Sequence, residues 1–329
     1  MVEPEDSKSA DFLQACALYD SIFPRYQSVE PQIRRLSEFP GLVCEKGKFH
    51  SNQGQKLSCY TYRKEGIRPA GVVVVAHGLG VGGQCVYMAA ADYFTSQGYL
   101  VFAYDATGND DSEGESVIGM EQGVIDLSYA ISYVEQDSEL GQYPIVLYGH
   151  SWGGYCVGAV LIDHPEVRAA VAVAGFNRSA DWFRYVADAS DEDGSMAVLK
   201  QYVEQIEQQK FGKYAAYTAM DGFESTRAGI MVIQSRNDRN VPTCLGYDLY
   251  LKKYGQDPRF EFQLFDDRGH MYLFYTDEAR AYARQRMNEL DMTLTEYGKT
   301  HAFDKTLGYE LDQNLFADIR SFFDRYCRR

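Results

Sequence analysis

The sequence predicts an α/β fold: a mostly parallel central sheet with helices on both faces. Runs of apolar residues recur along the chain at 72–76, 100–104, 143–148, 169–174 and 229–235. They do not alternate polar with apolar, so each reads as a strand buried on both faces. Helical stretches separate the runs, and strands alternating with helices are the pattern of a parallel sheet. Several runs end in loops that carry a serine, an aspartate or a histidine, which places chemistry-bearing residues along one sheet edge.

Taken in order, residues 9–23 set Phe12, Leu13, Cys16, Tyr19, Ile22 and Phe23 at helical spacing, an amphipathic helix packed on the body. Two strand-like runs follow near 43–50 and 55–63, with Asn52-Gln53-Gly54 as the hairpin turn. Val72 opens the first fully buried strand, residues 84–97 read as a helix, 100–104 as the next strand and 120–135 as the next helix. The strand at 143–148 leads through Gly149-His150-Ser151-Trp152-Gly153 into a small, apolar segment that reads as a buried helix. After the strand at 169–174 the alternation is interrupted from 177 to about 226 by a partly helical stretch, in which Leu199, Tyr202, Val203 and Ile206 share a face. Strands at 229–235 and 260–265 resume it. Residues 276–314 are polar and charged, with one helix over about 277–290. A closing helix begins near Leu315, with Phe316, Ile319, Phe322, Phe323 and Tyr326 on its apolar face.

A serine between glycines at a strand-to-helix turn is a nucleophile elbow: the turn is so tight that side chains at the flanking positions would clash, and the hydroxyl is held above the sheet. The helix N-terminus beneath it favours developing negative charge. Gly-x-Ser-x-Gly alone is a weak signal. Its flanking strand and helix strengthen it, and so does what lies downstream. The strand at 229–235 runs into a polar loop containing Asp238, and the strand at 260–265 into Asp266-Asp267-Arg268-Gly269-His270. Ser151, Asp238 and His270 thus follow in that order, each past the end of a strand.

With these residues in place the chain resembles the serine hydrolases of the α/β-hydrolase superfamily, in particular the monoglyceride-lipase and esterase branch. The resemblance spans about residues 40–275. It rests on the His77-Gly78 pair, on Tyr104-Asp105-Ala106-Thr107-Gly108 with Ser112-Glu113-Gly114, on the elbow, and on the Asp238 and His270 loops. It implies a single domain whose core covers about 40–176 and 227–275 plus a final helix at 315–327, with a cap at about 177–226 and an additional insertion at about 276–314. It implies Ser151 as nucleophile, His270 as base and Asp238 as the acid that orients it. The backbone N–H groups of Leu79 and Trp152 would form the oxyanion hole. The expected reaction is hydrolysis of a carboxylic ester through an acyl-enzyme, with neither cofactor nor metal. An amide, peptide or thioester substrate, or acyl transfer to an alcohol, would use the same triad.

Rival readings start from the same residues. Gly78-Leu79-Gly80-Val81-Gly82-Gly83 matches a dinucleotide-binding fingerprint, with Asp105 at the end of the next strand as its ribose acid. That reading leaves the elbow, Asp238 and His270 unexplained, and His77 stands between the strand and the first glycine. A non-catalytic binding protein on the same fold is a third class. Asp266 and Asp267 compete with Asp238 but lie too close in sequence to reach the His270 ring from behind. His150 is expected to point into packing, His164 to end a helix, and His50 and His301 have no evident partners.

Composition narrows the partners. Over 329 residues the formal net charge is −15, which disfavours nucleic acid and anionic membranes. The start, Met1-Val2-Glu3-Pro4-Glu5-Asp6, lacks a signal-peptide pattern, and no apolar run approaches the ~20 residues of a span, so a cytoplasmic protein without stable membrane insertion is expected. The 7 cysteines are scattered and form no CxxC pair, which fits neither a disulfide framework nor a zinc site. The aromatic-rich cap segment and Met271-Tyr272-Leu273-Phe274-Tyr275 suggest a pocket for an apolar or aromatic acyl group.

Overall fold

The computed structural model describes residues 9–80, 83–190, 196–290 and 293–327; the acidic start Met1 to Asp6 and, in the glycine-rich loop, Val81 and Gly82 lie outside them. Eight strands form one sheet: β1 (Leu42–His50), β2 (Lys56–Lys64), β3 (Val72–Ala76), β4 (Leu100–Tyr104), β5 (Ile145–His150), β6 (Ala169–Val173), β7 (Gly229–Ser235) and β8 (Phe260–Phe265). Their spatial order is β1-β2-β4-β3-β5-β6-β7-β8. β2 pairs antiparallel with both β1 and β4, and every other pairing is parallel. The chain has the α/β-hydrolase fold, as its sequence pattern predicts.

The helices are α1 (Ala10–Ile22), α2 (Met88–Ser96), α3 (Met120–Gln136), α4 (Trp152–Ala159), α5 (Ser179–Ser190), α6 (Ala197–Phe211), α7 (Ala219–Ser225), α8 (Tyr247–Tyr254), α9 (Asp277–Leu290), α10 (Leu294–Thr300), α11 (Lys305–Gly308) and α12 (Gln313–Cys327). Strand residues alternate between two cores, as the pleat requires. In β3, Val72, Val74 and Ala76 face a core built with α3 and α4, while Val73 and Val75 face one built with α2 and α12. Burying both faces explains why β3 to β7 are runs of Val, Ile, Leu and Ala without polar alternation.

The 177–226 stretch folds as α5, α6 and α7 on the first core. Helix α1 packs on α6, with Phe12 edge-on to Tyr202 and Tyr19 beside Phe183. The 276–314 excursion, polar and charged as it is, packs on the body. Ala279, Ala283, Tyr297, Tyr309 and Leu311 are buried. Its ends meet: Thr276 N–H donates to the Glu310 carbonyl and Asp312 N–H to that of Phe274. Lys305 donates to the Ile33 carbonyl and pairs with Glu30, and the Arg34 guanidinium lies over the Tyr309 ring. The excursion therefore props the segment at 30–34. Apolar positions this sparse in a polar stretch give no periodic signal, which is why the sequence conceals their burial.

Candidate active site

The elbow is built by steric exclusion. β5 ends at His150 and α4 begins at Trp152, which leaves Ser151 alone to reverse the chain, at φ 58° and ψ −117°. A side chain in the left-handed region is strained and persists only where its surroundings fix it. Here the fixing is tight: a Cβ on Gly149 would stand 2.2 Å from the Gly153 carbonyl oxygen, and one on Gly153 2.0 Å from that of Ala76. Ser151 N–H donates to the Val173 carbonyl, which ties the turn to β6.

The loops after β7 and β8 bring the other two residues to Ser151. His270 Nε2 lies 2.8 Å from Ser151 Oγ, and His270 Nδ1 lies 2.7 Å from Asp238 Oδ2. The second Asp238 oxygen accepts the N–H groups of Asn240 and Val241, both at 2.9 Å. The residue is 4% exposed, so its carboxylate is desolvated but fully satisfied. Asp266, by contrast, is 89% exposed and pairs with Arg236. The His270 loop is held from β7: Ser235 Oγ accepts the N–H groups of Arg268 and Gly269, and Asn237 Oδ1 that of Gly269. An ion pair of 2.7 Å between Arg268 and Asp312 fixes it from the other side.

A cavity of about 530 Å³ opens over Ser151 and His270. Leu79 and Trp152 both line it beside the serine. So do the apolar faces of Phe176, Trp182, Val186 and Met271. Two hydrogen bonds clamp α5 over the acid loop: Trp182 Nε1 donates to the Asn240 carbonyl and Tyr185 Oη to that of Arg239, each at 3.1 Å. Among the described residues of 276–314, none lines this cavity; Gln32, on the segment they prop, does. Gln32, Met120 and Tyr87 carry no motif, and nothing in the sequence singles them out as wall residues.

The structure separates the other candidates. Asp105 is 1% exposed; its carboxylate accepts the Gln84 N–H and the Tyr60 hydroxyl, and burial pushes it up to about 7. It anchors loops and is closed to a ribose, which removes the acid that the dinucleotide reading needs. His77 Nε2 accepts the Ala106 N–H. His301 is bonded to Thr300 and stacked on Tyr297. His164, with Glu135 and Glu166, forms a group whose ligand atoms lie within 4.8 Å of one another, but both its ring nitrogens are engaged, by Glu166 and Ser128. His150 is packed as expected, edge-on to Phe274, and does more besides. It is buried, yet it lines the cavity and is bonded to Tyr87 and to the backbone of His270. All seven cysteines are free thiols. No described helix is long and apolar enough to cross a membrane.

Comparison with known proteins bears on this arrangement in parts. A family model described as serine aminopeptidase, S33, matches residues 67–189, which include the Leu79 loop and the elbow and stop short of Asp238 and His270. The quorum-quenching protein AidA of Acinetobacter baumannii (strain MDR-ZJ06) is 28% identical over 131 residues, 39% of this chain and 43% of that protein, so the match spans less than half of the curated relative. Among solved structures, an esterase of Pyrococcus furiosus superposes with a TM-score of 0.60 at 14% identity, covering 92% of this chain and 99% of the esterase. Brefeldin A esterase, a bacterial homologue of human hormone-sensitive lipase, gives 0.59 at 14% identity over 97% and 86%. At such identities the superpositions show the α/β-hydrolase fold, and the family match covers 67–189, which is less than half of the chain.

Proposed function

We propose that this protein is a serine hydrolase that cleaves carboxylic esters through an acyl-enzyme. The observation that carries the reading is the continuous set of contacts from Asp238 through His270 to Ser151, at 2.7 and 2.8 Å, beneath a cavity with apolar walls. Ser151 Oγ attacks the ester carbonyl as His270 Nε2 takes its proton. Asp238 holds the Nδ1–H tautomer and stabilises the imidazolium that forms. The tetrahedral oxygen, now negative, sits between the Leu79 and Trp152 amides, at the N-terminus of α4. The intermediate collapses, His270 gives its proton to the departing alcohol, and Ser151 is left acylated. Water then repeats the attack with the same base, and the acid departs.

The walls favour an apolar or aromatic acyl group, because burying such surface contributes about 25 cal/mol per Å². An amide, peptide or thioester substrate, or acyl transfer, would run on the same three residues. Assay of p-nitrophenyl esters of increasing chain length beside aminoacyl anilides separates these readings. The proposal expects ester hydrolysis with weak or no anilide cleavage. Cleavage of the anilides with the esters left intact would replace the esterase reading with a peptidase one.

A further inference from the structure

Three hydrogen bonds run beneath the site from one loop to another. Gly78 N–H lies 3.0 Å from the Tyr87 hydroxyl, that hydroxyl 2.9 Å from His150 Nδ1, and His150 Nε2 3.1 Å from the carbonyl oxygen of His270. The two ends and a neutral ring set the direction of each bond. A backbone N–H only donates and a backbone carbonyl only accepts. His150 must therefore carry a proton on Nε2, where the His270 carbonyl takes it, and the neutral ring then presents a bare Nδ1. Tyr87 must give its proton to that Nδ1, which turns its oxygen lone pair to Gly78.

The groups at the two ends matter for the proposed reaction. Gly78 precedes Leu79, whose amide is one of the two proposed oxyanion donors. The His270 carbonyl belongs to the proposed base itself. His150 and Tyr87 are both buried, so these bonds form away from bulk water, where an unmet partner is costly. Burial also holds the His150 imidazole well below its ordinary range, and the neighbouring His270 adds to the effect. A neutral ring is what this position needs, because its centroid is 5.0 Å from that of His270, where positive charge develops in the reaction. Phe274 packs edge-on against the same ring at 4.7 Å and fixes its plane.

We infer that Tyr87 and His150 are positioning residues forming a bridge that ties the Gly78-Leu79 backbone to that of His270 and so holds the Leu79 amide and His270 in place around Ser151. The inference rests on the serine-hydrolase reading. It explains a histidine directly before the nucleophile and a tyrosine that no motif marks. Neither residue touches the reacting atoms; each acts through the backbone of a residue that does. Loss of either link would let the oxyanion donor and the base drift independently, and displacements of about 1 Å cost on the order of 100-fold in rate.

The test compares Tyr87→Phe with the wild-type protein, using p-nitrophenyl acetate and a boronic acid that forms a tetrahedral adduct on the serine. The bridge predicts that kcat falls about 10- to 100-fold with KM nearly unchanged, and that boronate affinity falls in step with kcat. A packing role alone would lower thermal stability without weakening the tetrahedral adduct selectively. Unchanged kcat and boronate affinity in a folded Tyr87→Phe protein would overturn the inference. If Tyr87→Phe does not fold, ¹⁵N NMR of the wild-type protein decides: His150 as the Nε2–H tautomer is the expected result, and the Nδ1–H tautomer overturns the bridge. Failure of the parent reading looks different, because wild-type Ser151 would then not react with a fluorophosphonate at all.

Discussion

Asp238 sits three residues into its loop with both carboxylate oxygens engaged, one by two backbone N–H groups and the other by His270. Its role in the proposed triad is to select the tautomer of His270, which an amide in its place does not enforce. Asp238→Asn is therefore expected to lower kcat on the order of 10³- to 10⁴-fold with little change in thermal stability, as measured by steady-state kinetics beside calorimetry. Asp266→Asn, at an exposed surface pair, should leave kcat unaltered. The reverse pattern would show that the acid has been misplaced. Ser151, Asp238 and His270 were readable in the sequence because each is short-range: a strand, then a loop residue of the right type. His150 was not readable in the same way. Its significance comes from Tyr87 and the His270 carbonyl, 63 and 120 positions away, and no local pattern reports such distances.

Among the elements, strands β3 to β7 declared themselves through unbroken apolar runs, and α1 and α12 through helical periodicity. What docks the 177–226 helices on the core was less visible. Glu121 on α3 and Glu207 on α6 are both fully buried, and the Ser179 hydroxyl at the start of α5 donates to Glu207. Tyr19 of α1, Tyr155 and Cys156 of α4, Glu204 of α6, and Arg178 and Arg184 are titratable groups facing the pair. Burial, and then the nearby Glu207 charge, raises the Glu121 carboxyl well above the ordinary range, and burial raises Glu207 from 4.5 to about 7. Both shifts are upward, so the fold prefers the protonated acids. The Glu207 contribution is complete below the unfolded value of 4.5 and is lost as pH rises through about 7, while that of Glu121 is lost as pH rises through its own raised value. Glu121→Gln removes one of the two charges. Its melting temperature should fall less than that of the wild type between about pH 5 and about pH 8, measured by scanning fluorimetry. Parallel curves for the two proteins would contradict this account of the interface.

At the scale of the whole molecule, the parallel order β3-β5-β6-β7-β8 points these strand ends the same way, so that β3, β5, β7 and β8 deliver Leu79, Ser151, Asp238 and His270 to one edge. That convergence was legible because it follows from the parallel topology. The place of 276–314 was not, since its residues meet others more than two hundred positions earlier, as Tyr309 meets Arg34 and Lys305 meets Ile33. The segment supports the wall that carries Gln32 instead of lining the cavity. Replacing 278–308 with a short Gly/Ser linker exposes the apolar surface that Ala279, Ala283 and Tyr297 cover, and should cost about 3 kcal/mol or more in denaturant unfolding. Unchanged stability would mean that the excursion is only appended to the fold.

The central claim is that Ser151 is an activated nucleophile, and covalent labelling tests it most directly. The protein is treated with a fluorophosphonate probe, and the modified peptide is identified by mass spectrometry in the wild type, Ser151→Ala and His270→Ala. The account predicts one adduct, on Ser151, absent from Ser151→Ala and formed far more slowly in His270→Ala, since a serine without its base is a poor nucleophile. An unlabelled wild-type protein, or an adduct on another residue that persists in Ser151→Ala, would contradict it.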